Sequence, residues 1–172
     1  MTLARAKPAA DPALFDRYVG TPPSAQNAVD AVPGWRTALP GVAAGDLGLT
    51  DDPRIAWAMD GVGGVEGCHV LELGPLDGGH TAMLHRAGAA RIDAVEANRL
   101  AYLRCLVAKE LLGLDRARFH LGDFTAGFGR LAQRFDLVVA SGVLYHLSDP
   151  VGLIAALAQM TDRLYLWTHV MD

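Results

Sequence analysis

The sequence predicts an α/β protein: a doubly wound, mostly parallel sheet with strand order 3-2-1-4-5, preceded by an N-terminal helical extension. Three observations carry this reading. Five short and nearly continuous apolar runs, at residues 70–73, 92–95, 119–121, 137–140 and 164–167, have the pattern of strands buried on both faces. Helical stretches alternate with them, and that alternation implies parallel strands joined by right-handed crossovers. The chain has 172 residues, of which 51% are hydrophobic, and a mean hydropathy of +0.20. This is enough for one globular domain with a substantial core and excludes a disordered protein.

Residues 1–67 read as the extension, which either packs on the rest of the chain or closes over it as a lid; residues 68–172 read as the core. The first ten residues, rich in Ala, Pro and Lys, have no face to bury and are expected to fray. Asp11-Pro12 is an N-cap followed by proline, opening a short helix that carries Leu14, Phe15, Tyr18 and Val19. Ser24 caps a second short helix, and Pro33-Gly34 is a turn that delivers Trp35. Residues 39–50 lack periodicity and are expected to form a loop. Asp52-Pro53 repeats the capping device, with Ile55, Ala56 and Met59 following at helical spacing. In the core, residues 99–112 form the clearest helix, in which Leu100, Leu103, Leu106, Val107 and Leu111 make an apolar stripe that ends at Gly113. Asp149-Pro150 starts the last helix. Cys68 and Cys105 show neither metal spacing nor a secreted disulfide framework and read as reduced packing residues.

The chain is organised around residues 69–81, a strand that breaks into a glycine-bearing turn and then a helix. Such a unit lets a ligand approach the backbone and aims unpaired helix N–H groups at it. In open α/β sheets, ligands bind at the carboxyl ends of the strands. Here those ends carry Glu72 with Gly74, Pro75 and Gly78, then Glu96-Ala97-Asn98, then Asp123-Phe124, then Ser141-Gly142. The two acceptor oxygens of Glu96 suit the vicinal hydroxyls of a ribose, and Asp123 beside Phe124 suits an adenine. A dinucleotide fingerprint would require glycine at 76, which is leucine. An acid at Glu72 would also repel a pyrophosphate but attract the ammonium of a cofactor bearing an amino acid. The expected cofactor is S-adenosyl-L-methionine, with S-adenosyl-L-homocysteine as its product.

Val70-Leu71-Glu72-Leu73-Gly74-Pro75, Ala94-Val95-Glu96-Ala97-Asn98, Gly122-Asp123-Phe124 and Phe135 through His146 resemble, in order, the motifs of the class I S-adenosylmethionine-dependent methyltransferases. The resemblance covers residues 68–169. It implies that Glu72 and the Gly74 backbone serve the methionine end, Glu96 the ribose, and Asp123 with Phe124 the adenine, while Ser141 and Gly142 floor the methyl group. Leu76 stands where many members have a middle glycine. Members usually continue into a helix and a closing antiparallel strand pair. Because the sequence stops at Asp172, that final strand pair is expected to be missing. Strand five is then an edge, covered by a second copy in a homodimer or by the extension.

Methyl transfer to oxygen or nitrogen is a displacement from a good leaving group, so the protein mainly positions the reactants and, where needed, removes a proton. Tyr145 and His146 are the candidates at the mouth. His146 reads either as a general base or as a wall residue that orients the loop. Trp35, Tyr145 and His146 are the candidate acceptor contacts, with Trp35 read either as part of a lid or as simple packing. Arg36 and Arg54 read as solvated or as contacts to an acidic substrate, and His80 as a helix cap or a cofactor contact. The spacing of His69, His85, His120 and His169 suggests no metal site.

The expected activity is therefore methyl transfer to a small-molecule acceptor. The net charge of −4 argues against nucleic acid as a partner. Apolar stretches are shorter than the ~20 residues of a membrane span, and residues 1–8 lack a signal-peptide core, so a cytoplasmic protein is expected. Two rivals stand beside this. Gly142-Val143-Leu144-Tyr145-His146 also resembles the corresponding stretch of the tRNA wobble-uridine carboxymethyl transferases. The other rival is a non-catalytic cofactor-binding subunit.

Overall fold

A computed structural model of the chain describes residues 18–125 and 133–169. The helix expected from Asp11 lies outside the described residues except for its last positions, and Tyr18 and Val19 stand exposed. Strands β1 (His69–Leu73), β2 (Arg91–Glu96), β3 (Ala117–Leu121), β4 (Leu137–Ser141) and β5 (Leu164–Trp167) form one sheet in the order β3-β2-β1-β4-β5. Every neighbouring pair is parallel. The order reverses between β1 and β4, which places a crevice at their carboxyl ends.

Helices α1 (Ala25–Asp30) and α2 (Pro53–Gly61) precede the sheet, with a single 3-10 turn at Leu49–Asp51 between them. Ser24 and Asp52 cap α1 and α2 by accepting from the backbone N–H groups of Asn27 and Arg54. Helix α3 (Gly79–Arg86) follows β1, α4 (Arg99–Leu112) follows β2, and α5 (Pro150–Ala158) precedes β5. None of the described helices is long and apolar enough to cross a membrane.

Successive strand residues face opposite sides, so the sheet has two cores. On one side Val70, Ile92, Ala94 and Val139 pack with Ala82 and Leu84 of α3, Cys105 of α4, and Ile55 and Ala58 of α2. On the other, Leu71, Leu73, Val138 and Ala140 pack with Leu153 and Leu157 of α5. The extension thus shares the core of the sheet through α2.

Helix α4 differs from the expected stripe. Its buried residues are Ala101, Arg104, Cys105 and Ala108, whereas Leu106 is exposed. Small residues let the helix lie close to the sheet: a Cβ added at Gly78 would sit 3.7 Å from the Cβ of Ala108. Arg104 is tolerated at this face because Asp77 pairs with it at 2.5 Å.

The buried carboxylate of Asp77 also ties the extension to the core. Its Oδ2 accepts from the backbone N–H groups of Arg36 at 2.6 Å and Thr37 at 2.9 Å, while its Oδ1 accepts from Arg104 Nε. Arg104 Nη1 donates to Pro33 O at 2.9 Å. Residues 33–37 are therefore strapped against α4 at Arg104, and Leu49 presses on the start of α3, where a Cβ at Gly79 would meet it at 2.7 Å.

Candidate functional site

A cavity of about 730 Å³ opens at the carboxyl ends of the strands. Its size falls within the range of roughly 300–1,000 Å³ common to small-molecule sites. Each strand end contributes to it. From β1 come Gly74, Pro75 and Leu76. Gly74 has φ 65° and donates its N–H to Val95 O, which anchors the start of the turn beside β2. Leu76 adopts φ 58°, a left-handed conformation in which glycine costs least, and here a branched side chain carries the strain.

Glu96, Ala97 and Asn98 enter from β2. Glu96 Oε1 accepts from the N–H of Asn98 at 2.7 Å, and Oε2 accepts from the N–H of Leu76 at 3.2 Å. The carboxylate joins two strand-end turns and is fixed in place. Each of its oxygens keeps further acceptor capacity, which is what a vicinal diol requires. Asn98 caps α4 through the N–H groups of Leu100 and Ala101.

Asp123 and Phe124 line the cavity from the end of β3, with Asp123 Oδ1 accepting from Thr125 at both N and Oγ1. Ser141 and Gly142 come from β4, and a 3-10 turn at Leu144–His146 carries Tyr145 and His146 to the mouth. The Gly142 φ of 76° and the absence of a side chain matter here, because a Cβ would lie 3.1 Å from the Tyr145 hydroxyl. Tyr145 packs against His146 with ring centroids 4.4 Å apart and against His169 at 5.0 Å.

The structure thus brings Gly74, Pro75, Glu96, Ala97, Asn98, Asp123, Phe124, Ser141, Gly142, Tyr145 and His146 around one cavity. Arg36 does not line it, and neither do three of the cofactor and acceptor candidates, Glu72, Gly78 and Trp35. Glu72 alternates with Leu71 and Leu73 and so points into the core beneath α3, where Thr81 Oγ1 donates to its Oε2 at 2.5 Å and its Oε1 has no partner. Gly78 faces Phe119 and Ala108 rather than the cavity, and its φ of 79° serves the turn into α3. Trp35 donates its indole N–H to Val29 O at 2.9 Å, closing the turn after α1.

Burial pushes the Glu72 carboxyl up to about 7, against the lowering effect of Thr81. Below about pH 4.5 the group is protonated both folded and unfolded. Between there and about 7 the unfolded chain releases the proton while the folded chain keeps it, so stability falls as pH rises through this window. Glu72→Gln is expected to raise stability at pH 8 by on the order of 1–2 kcal/mol and to change it little at pH 5. Melting temperatures at the two pH values check this.

Several lining residues belong to none of the strand-end motifs. Leu47 and Leu49 come from the aperiodic segment before α2, and Arg54 and His80 occupy positions where the sequence allows more than one role. His80 Nε2 lies 2.9 Å from Asp52 Oδ2. Burial pushes the His80 imidazole below its ordinary value, against the raising effect of Asp52. Arg54 reaches both oxygens of Asp52, through Nε at 3.0 and 3.1 Å and Nη2 at 2.6 Å. Those hydrogen bonds hold the Asp52 carboxyl well below the usual carboxylate range. The Arg54 guanidinium lies 4.3 Å over the Trp167 ring. The Asp-Pro capping pattern marks where α2 starts, but no local signal in the sequence pairs Arg54 with Trp167.

A family profile described as a methyltransferase domain matches residues 71–163, more than half of the chain. No curated protein matches it. Among solved structures, the N-terminal domain of EvdMO1, crystallised with SAH (S-adenosylhomocysteine) and D-fucose, is 25% identical with a TM-score of 0.67. The match covers 82% of this chain and 61% of that one. The bifunctional kinase-methyltransferase WbdD shares the fold at 20% identity and a TM-score of 0.63, over 83% of this chain and 35% of its own. A putative methyltransferase, YhhF from Escherichia coli, shares it at 13% identity and a TM-score of 0.60, over 71% and 70%. The chain thus spans about three fifths of the EvdMO1 domain's length.

Proposed function

Because the chain belongs to the class I S-adenosylmethionine-dependent methyltransferase family, we propose that it transfers the methyl group of S-adenosylmethionine to an oxygen or nitrogen of a small-molecule acceptor. The observation that carries the cofactor part of this reading is Glu96, a carboxylate fixed between two turns at the cavity wall with acceptor capacity left for a ribose diol. In this reading Phe124 packs on the adenine, and Gly74, Ser141 and Gly142 flank the sulfonium. The protein's contribution is to hold donor and acceptor in line.

The acceptor enters past Tyr145 and His146, and His146 takes the proton where the acceptor hydroxyl or amine must lose one. Tyr145, His146 and Trp167 line the mouth, and His169 packs against Tyr145 and Trp167. Ring faces of this kind suit the C–H faces of a sugar. The EvdMO1 domain was crystallised with D-fucose, which makes monosaccharides the first acceptors to screen. Residues 33–49 act as the wall of a lid, with Leu47 and Leu49 facing the cofactor.

Methyl-labelled S-adenosylmethionine, incubated with the protein and separate pools of sugars, small amines and bulk tRNA, tests this. Label is expected in a small-molecule pool. Label confined to tRNA would overturn the acceptor class. Tight binding of S-adenosylhomocysteine with no label transferred anywhere would favour a non-catalytic cofactor-binding subunit.

A further inference from the structure

The amino-acid end of S-adenosylmethionine carries a carboxylate, and a cavity that encloses it must supply a donor. Among the titratable residues lining the cavity, Glu96 and Asp123 stand at the ends of β2 and β3 and would repel that group. Glu72 is buried beneath α3 and does not line the cavity. The opposite end, between the turn after β1 and the end of β5, is walled by Arg54 and His80.

Arg54 is built for one task there. Asp52, only 4% exposed, takes Nε and Nη2 in a two-pronged contact and so fixes the guanidinium in its own plane. The Trp167 ring, 4.3 Å away, fixes that plane from its face. Among the described residues, no hydrogen-bond acceptor engages Nη1. The guanidinium is thus held on two sides with one donor edge left over, in a half-exposed position at the cavity wall. Arg104, the other lining arginine, gives Nε to Asp77 and Nη1 to the Pro33 carbonyl and is only 7% exposed, against 38% for the Arg54 side chain.

We propose that Arg54 binds the carboxylate of the cofactor's amino-acid end, with Asp52 and Trp167 as its positioning residues. This rests on the S-adenosylmethionine reading above and assigns to α2 a contact that the motif resemblance gives to the turn after β1. It also gives the extension a direct part in cofactor selection, because the residue that reads the amino acid comes from outside the sheet.

Two ligands separate this inference from the reading beneath it. S-Adenosylhomocysteine and 5′-methylthioadenosine share the adenosine and the thioether, but only the first carries the amino acid. Calorimetric titration of the wild-type protein is expected to detect both. Arg54→Met, which keeps a long side chain against Trp167, is expected to weaken S-adenosylhomocysteine binding roughly 10- to 100-fold, the scale of a lost hydrogen bond to a charged group. Binding of 5′-methylthioadenosine should change less than about twofold. An equal loss for both ligands, or no loss for S-adenosylhomocysteine, would overturn the assignment.

Arg54→Met takes the guanidinium away from the buried Asp52 carboxylate and leaves it the His80 ring and the backbone N–H of residue 54, so the double variant Asp52→Asn with Arg54→Met, which removes both charges, is titrated alongside it. The same selectivity is expected from the double variant, and its absence there overturns the proposal even if the single variant unfolds. A wild-type protein that binds neither ligand sinks the adenosine-pocket reading, and this inference with it.

Discussion

Asp77→Ala is expected to destabilise the fold by about 3–5 kcal/mol, the cost typical of removing one partner from a buried ion pair. The Asp77 side chain is fully buried and meets three donors: Arg104 Nε and the N–H groups of Arg36 and Thr37. Alanine leaves all three without an acceptor and strands the Arg104 charge at a position 7% exposed. Asp77→Asn is expected to recover little, because its amide nitrogen would face donors whichever way it turned. Chemical denaturation of the purified variants measures the loss. A variant within about 1 kcal/mol of wild type would mean that the strap of residues 33–37 holds without this clamp. Because Leu47 and Leu49 follow that strap, cofactor affinity should fall together with stability.

Glu96→Ala is expected to weaken S-adenosylmethionine binding by ~1–3 kcal/mol through lost hydrogen bonds to a charged acceptor. In calorimetry this reads as roughly a 5- to 150-fold rise in Kd. The carboxylate also joins the N–H groups of Leu76 and Asn98, so part of the effect comes from loosening the two turns. Glu96→Gln separates the contributions, since it keeps one carbonyl acceptor and loses the charge. The protein should remain folded, because Glu96 lies at the end of its strand and the β2 ladder ends at Glu96 with Leu121. An unchanged affinity would remove Glu96 from the site.

The two variants probe residues of different legibility. Glu96 is readable because its function follows from local pattern: an apolar run ends in an acid, and the open end of a parallel strand faces the crevice. The same logic locates Gly74, Asn98, Asp123 and Ser141. Asp77 carries no such signal. An acid inside a glycine turn is ordinary turn chemistry, and only the folded chain brings Arg36, Thr37 and Arg104 to it.

Local pattern was enough for the alternation of strands and helices, the start of α2 at Asp52-Pro53, the span of α4 up to Gly113, and the set of residues at the carboxyl ends of the strands. These depend on periodicity, capping and turn residues, which act over a few positions. Long-range packing settled the rest. It turned Glu72 into the core, because β1 is central and each of its faces must be covered. It buried the small face of α4 rather than the leucine stripe, because close approach to the sheet and the pair with Asp77 outweighed side-chain bulk. It set Arg54 over Trp167 at the cavity wall, a contact between the extension and the last strand that no short window of sequence contains.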